Sequence, residues 1–149
     1  MLSAEKQLAG FLAKFTPAVA KQAKAAVSKM RKLLPGAIVL VYDNYNALAI
    51  GFCGTERTSE IICSIAVYPR WVSLFLVGGP RLHDPEKLLR GSGTVVRHIV
   101  LSDPSDLDKR AVRALLDQAV KLGVKIDASK RGRIVIKSVS AKQRPRRPA

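Results

Sequence analysis

Acidic residues are scarce in this chain. Eleven Asp and Glu stand against 26 Lys and Arg, for a formal net charge of +15. The shortage is sharpest at the ends: residues 1–34 hold one acid, Glu5, and residues 128–149 hold none. A hard cation needs several oxygen ligands gathered together, so the first 34 residues cannot build an acidic metal ridge. Aromatics are also few, at 5%, and aliphatic side chains and alanine must fill the core. Only two cysteines occur, Cys53 and Cys63, each in an apolar run and without C-x-x-C spacing. They read as small buried hydrophobes in a reducing compartment rather than as a disulfide or a zinc site. His83 and His98 have no nucleophile at a known catalytic spacing and read as structural. No apolar run approaches the roughly 18 residues of a spanning helix. Glu5 and Lys6 precede any apolar stretch that would make a signal peptide. The composition therefore predicts a cytoplasmic protein with no membrane span, no cofactor and no metal site.

What is present is enough for one domain. The 149 residues are 48% hydrophobic, and a chain of about 150 residues buries roughly 68–70% of its unfolded surface. Leu8, Phe11, Leu12 and Phe15 recur at helical spacing behind Ser3, an N-cap residue. Thr16-Pro17 caps and opens a second helix that stops at Pro35-Gly36. Its apolar face carries Val19, Ala23, Ala26, Val27, Met30, Leu33 and Leu34, and its opposite face Lys21, Lys24, Ser28, Arg31 and Lys32. Beyond Gly36 the period changes to two. Strands are predicted over residues 38–42, 47–52, 60–68, 71–77 and 95–101, with Pro69-Arg70 turning between the third and fourth. In the second strand Ala47, Ala49 and Gly51 form a face of small residues, which predicts a close neighbour above it. The strand over 71–77 is apolar on both sides and the second face of 60–68 is mixed rather than polar, which predicts burial on both faces, by this chain, by a twin subunit or by a ligand.

Asp84-Pro85 predicts one short helical turn ending at Gly91, and Asp103-Pro104-Ser105 a helix over residues 107–122 with Gly123 as its left-handed stop. Residues 134–139 offer a short edge strand. The last residues, A-K-Q-R-P-R-R-P-A, have no apolar face and are expected to be mobile. The chain thus divides into a domain over residues 1–127 and a basic tail over 128–149. The fold class is α+β: a two-layer sandwich in which helices pack on one face of an antiparallel sheet of five to six strands.

Residues 72–97 also carry a motif. Gly79, Leu82, Asp84-Pro85, Leu88-Leu89, Gly91, Gly93 and Arg97 follow the strand Val72–Val77. With Pro35-Gly36 behind them, they resemble the YdhG-like family over roughly residues 5–122. Thr94 stands where that family commonly has Lys, and Y-D-N-Y-N lacks its usual Gly and Pro. The resemblance implies a frataxin-like fold and, by likeness to frataxin, iron handling.

Charge gives the main functional expectation. The ends carry net charges of +6 and +8, and residues 35–127 only +1. Clustered cations attract polyanions over a Debye length of about 8 Å. Lys21, Lys24, Arg31 and Lys32 on the helix, with Lys130, Arg131, Arg133, Arg144, Arg146 and Arg147 in the tail, are the candidate anion-binding residues. The sequence carries no zinc finger, helix-turn-helix or aromatic RNA-binding signature, so recognition is expected to be non-specific. The expected function is a non-enzymatic binding domain that contacts nucleic acid or another polyanion through basic termini. Two alternatives stand beside it. One is a carrier of iron or a small ligand. The other is an enzyme of unnamed reaction with a pocket on the sheet around Tyr68, Trp71, Arg97 and His98. Tyr68, Trp71 and Phe75 are possible stacking surfaces, although aromatics on strands more often fill cores. The surplus of apolar strand surface also suggests a homodimer through the sheet face.

Overall fold

Ser3 and Thr16 cap the first two helices as the sequence predicts. The Ser3 hydroxyl accepts from the Lys6 N–H at 3.2 Å, and the Thr16 hydroxyl from the Val19 N–H at 3.4 Å. In this computed structural model, which describes residues 2–148, helix α1 spans Ala4–Leu12 and helix α2 spans Pro17–Leu33. Gly36 then turns the chain at φ +86°, and a Cβ there would lie 2.1 Å from the Asp127 carbonyl oxygen. Glycine alone fits that approach.

Strands β1 (Ile38–Asp43), β2 (Leu48–Cys53), β3 (Ile61–Val67), β4 (Val72–Val77) and β5 (Val96–Leu101) follow as an antiparallel meander. Helix α3 (Arg110–Leu122) comes next, and strand β6 (Ile134–Val139) returns to pair parallel with β1. The strand order is β5-β4-β3-β2-β1-β6. Only one side of this sheet is covered by helices. Ala23, Ala26 and Met30 of α2 and Leu115, Leu116 and Ala119 of α3 pack with Ile50, Phe52, Ile65, Leu74 and Leu76 into one core. The fold is therefore α+β in two layers, with a mostly antiparallel six-stranded sheet. Among the described residues no helix is long and apolar enough to cross a membrane.

Four local expectations are corrected. The segment after Asp84 is a turn, not a helical turn. Lys87 takes φ +53°, and the Asp84 carboxylate accepts from the N–H groups of Leu88 and Leu89 at 2.9 Å each. The helix expected over 107–122 divides into a 3₁₀ turn, Pro104–Asp108, and α3, because Lys109 between them is extended. Gly123 is also extended, so it does not end α3 in the left-handed region; instead a Cβ there would meet the Ile62 side chain at 2.6 Å. Finally, the residues after β6 lie against the domain. Ser140 donates its N–H to the Asp43 carbonyl at 2.8 Å, and Arg144 donates its own to the Tyr45 carbonyl at 2.9 Å. Arg146 is buried, with its guanidinium 5.8 Å from the Phe15 ring centre. This strap is anchored by arginine rather than by apolar side chains, so it leaves no hydrophobic pattern.

Candidate nucleic-acid interface

The antiparallel register decides what the helix-free face displays. Val41, Ile50, Ile65, Leu74 and Ile99 point into the core, so their strand neighbours point away from it. One row on the open face runs Tyr42, Ala49, Ala66, Ser73, Val100, and the next runs Leu40, Gly51, Ser64, Phe75, His98. At the end of the sheet, Ala47 precedes β2, and Tyr68 and Trp71 flank the Pro69-Arg70 turn, where the Tyr68 N–H donates to the Trp71 carbonyl at 2.9 Å. The floor is small and the walls are aromatic. A shallow depression of about 540 Å³ has Ala47, Ala49, Ser64 and Ala66 beneath it and Tyr45, Tyr68 and Phe75 around it.

The aromatic groups are paired and accessible. Tyr68 and Trp71 stack with ring centres 5.0 Å apart, as do Phe75 and His98. Trp71 is 44% exposed and Tyr45 43% exposed, and Val100 on the edge strand β5 is exposed as well. Burial holds the Tyr68 phenol above its ordinary value, so it stays neutral at physiological pH. The guanidinium of Arg144 lies 5.7 Å from the Tyr45 ring centre, and Arg70 is exposed in the turn between the stacked pair. The two open-face rows contain no acidic residue. This face offers flat neutral π-surfaces edged by positive charge.

Several expectations change here. The strand aromatics do not fill the core; Trp71 is exposed and Tyr68 and Phe75 are half-buried on the open side. No α-helix lies above the small-residue face; the Ile61 side chain packs over Gly51, and Tyr45 stands beside Ala47 and Ala49. The grouping of Tyr68, Trp71, Arg97 and His98 also breaks up. Tyr68 and Trp71 meet, whereas His98 stacks on Phe75. Arg97 pairs with Leu76, so it faces the helical side. Its Nε donates to the Gly93 carbonyl at 2.8 Å, and Gly79 packs closely against it. Tyr42 and Tyr45 were not singled out in the sequence, yet they bring aromatic surface to the opposite side of the same face. Their place in Y-D-N-Y-N was the available signal.

The ten candidate anion-binding residues do not form one surface, and three of them are paired with acids. Arg31 meets Glu5 at 3.2 Å, Arg133 pairs with Glu56, and Arg146 meets Asp43 at 2.9 Å. Arg147 donates to the carbonyls of Lys14 and Ala13 at 3.1 and 3.4 Å. Lys130 and Arg131 share a shallow depression with Glu56 and Asp127. Lys21, Lys24, Arg31 and Lys32 line a groove between α1 and α2, on the helical side of the sheet. Among the described residues, Lys21, Lys24, Lys32, Lys130, Arg131 and Arg144 join no ion pair.

The remaining polar clusters have local roles. Asp103 and Asp106 form a reciprocal capping box, and Asp108 pairs with Lys29. Hydrogen bonds from Ser105 hold Asp103 below the usual carboxylate range. Burial opposes ionisation of Asp106, but Ser102 and Lys109 outweigh it and lower its pKa. Among the described residues no three His, Cys, Asp or Glu side chains gather where they could share a metal ion. Burial, with the neighbouring Cys53, pushes the Cys63 thiol up to about 12, which leaves it protonated and unreactive. His83 is fixed through its backbone, which exchanges hydrogen bonds with the Gln118 side chain at 2.8 and 3.0 Å. No family model, curated protein or solved structure matches this chain.

Proposed function

We propose that this protein is a non-enzymatic binding domain for single-stranded nucleic acid, with the helix-free sheet face as its platform. One observation carries the reading: two acid-free rows of the sheet with a floor of small residues, Tyr45, Tyr68 and Phe75 around that floor and exposed Trp71 stacked on Tyr68, on a chain of net charge +15. Bases stack on aromatic rings for roughly 1–3 kcal/mol each without regard to sequence. Lysine and arginine neutralise the phosphates and release counterions. The sequence-based expectation of an anionic partner is kept, but its seat moves from the termini to the sheet, with Arg144 and Arg70 at its edge. Membership of the YdhG-like family belongs to the same proposal and rests on the motif from Gly79 to Arg97.

Trp71 is the only tryptophan, so its fluorescence reports on this face alone. Oligo(dT) added at low salt is expected to quench it saturably, and Trp71→Ala to weaken binding measured with a labelled oligonucleotide by about tenfold or more. Unchanged fluorescence would reject the reading. So would sedimentation as a dimer that Trp71→Ala dissociates, because a second copy would then occupy the face.

A further inference from the structure

The groove between α1 and α2 lies on the opposite side of the sheet from the aromatic face. It measures about 920 Å³ and runs between two helices joined at one end by the Glu5–Arg31 ion pair. Its floor is apolar, with Leu8, Leu12 and Val27 set deep and Ala20 above them. The two rims differ. The α1 rim carries exposed Ala9 and Ala13, whereas the α2 rim carries exposed Lys21, Lys24 and Lys32. Those three lysines join no ion pair among the described residues.

We infer that this groove docks an acidic amphipathic helix from a partner protein. Alanine on one rim lets another backbone approach closely. A helix lying there would place apolar side chains at helical spacing on the leucine floor. Lysine on the other rim fixes which flank of that helix must be acidic. From Lys21 to Lys32 the rim is about 16 Å long at 1.5 Å per residue, enough for three turns of a partner helix. A second copy of this chain does not fit the description. Its own helices are basic or mixed: α1 carries one acid, α2 none, and α3 only Asp117. Nucleic acid suits the lysines but not the apolar floor, which would be left in contact with water and phosphate.

The test uses the full chain and a fluorescein-labelled synthetic helix of about 14 residues, with leucines at helical spacing and glutamates along one flank. Fluorescence anisotropy is expected to show saturable binding. The triple variant Lys21→Glu/Lys24→Glu/Lys32→Glu should weaken it by about tenfold or more. The charge-matched variant Arg110→Glu/Lys121→Glu/Lys125→Glu should leave it within about twofold, since those exposed residues lie elsewhere. Ala9→Trp, which fills the groove without changing charge, should weaken it as well. Circular dichroism on each variant shows that the fold is intact. Equal weakening by both triple variants would overturn the inference, because general charge attraction would then explain the binding. So would undiminished affinity of a peptide with Gln in place of Glu, or binding to phosphatidylglycerol vesicles, lost in the first triple variant, without binding of the peptide.

Discussion

Arg146 reaches across 103 residues of sequence to hold Asp43, Nη2 to Oδ1 at 2.9 Å. Asp43 is 0% exposed and Arg146 5% exposed. Lys14 meets the other carboxylate oxygen at 2.8 Å, so one acid ties the turn between α1 and α2, the first strand and the strap together. A buried charge without its partner is costly, and Arg146→Met should destabilise the fold by roughly 3 kcal/mol. Denaturant unfolding followed by circular dichroism measures this.

Asp43 also sets part of the acid limit. Burial opposes its ionisation, but Lys14, Gln143 and Arg146 outweigh it and hold its carboxyl below the usual range. The folded value lies below the unfolded one, near 3.9. Its contribution is therefore complete above about pH 5 and is lost as pH falls through the folded value. Asp43→Asn is expected to be less stable at pH 7 and to lose less on acidification below about pH 4 than the natural chain. Parallel acid limbs in the two proteins would show that Asp103, Asp106 and Asp127, whose pKa values are also lowered, carry the whole effect.

The strap and the last strand separate in truncations. A chain ending at Val139 keeps β6 beside β1 and loses the Arg146 contact; it should remain soluble with a lower melting temperature. A chain ending at residue 127 removes β6 and leaves β1 as an unpaired edge, which invites pairing with another chain. Light scattering should show that only the second truncation aggregates. This also bears on any assay of the basic tail, since removing residues 128–149 damages the sheet along with the charge.

Two glycines should respond oppositely to alanine. Gly10 lies inside α1 with nothing within 4 Å of an added Cβ, and Gly10→Ala should stabilise by roughly 0.5–1 kcal/mol. At Gly79 an added Cβ would lie 2.5 Å from the Arg97 Cβ and 2.7 Å from its backbone nitrogen. Gly79→Ala should destabilise by about 1–3 kcal/mol. Thermal melts of the two variants on either side of the natural chain are the expected pattern.

Salt dependence distinguishes phosphate contact from stacking on the open face. Arg144→Ala should lower the slope of log affinity against log salt for oligo(dT) by about 0.7, the value for one phosphate contact on a single strand. Trp71→Ala should lower affinity at every salt concentration and leave that slope unchanged. Identical slopes in the natural chain and Arg144→Ala would place the phosphate contacts elsewhere.

The sequence made the helical layer legible because its periodicity and its caps agree. Leu8 and Leu12, Val19 to Met30, and Val112 to Ala119 are buried where their spacing puts them. Leu48, Ile50 and Phe52 alternate along β2 and lie together on its core face. What covers the other side of the sheet stayed open for a physical reason. A strand apolar on both sides looks the same whether its second face is packed or open, and Tyr68, Trp71 and Phe75 did not reveal which. The strap was missed because Arg146 and Asp43 meet through charge and hydrogen bonds, which leave no period in the chain. The lysine stripe of α2 was correctly placed opposite its buried face. Its neighbour across the groove, α1, could be located only by the fold.

Pairing β1 with β6 imposes an order of events during synthesis. The meander from Ile38 to Leu101 can form as soon as it leaves the ribosome, yet its β1 margin then has no neighbour. Residues 134–139 are translated 33 or more positions after Leu101, and Arg146 later still. Until then the nascent domain carries an open strand margin and an Asp43 still waiting for its arginine. A ribosome that stalls in that interval holds a chain ready to stick to its neighbours.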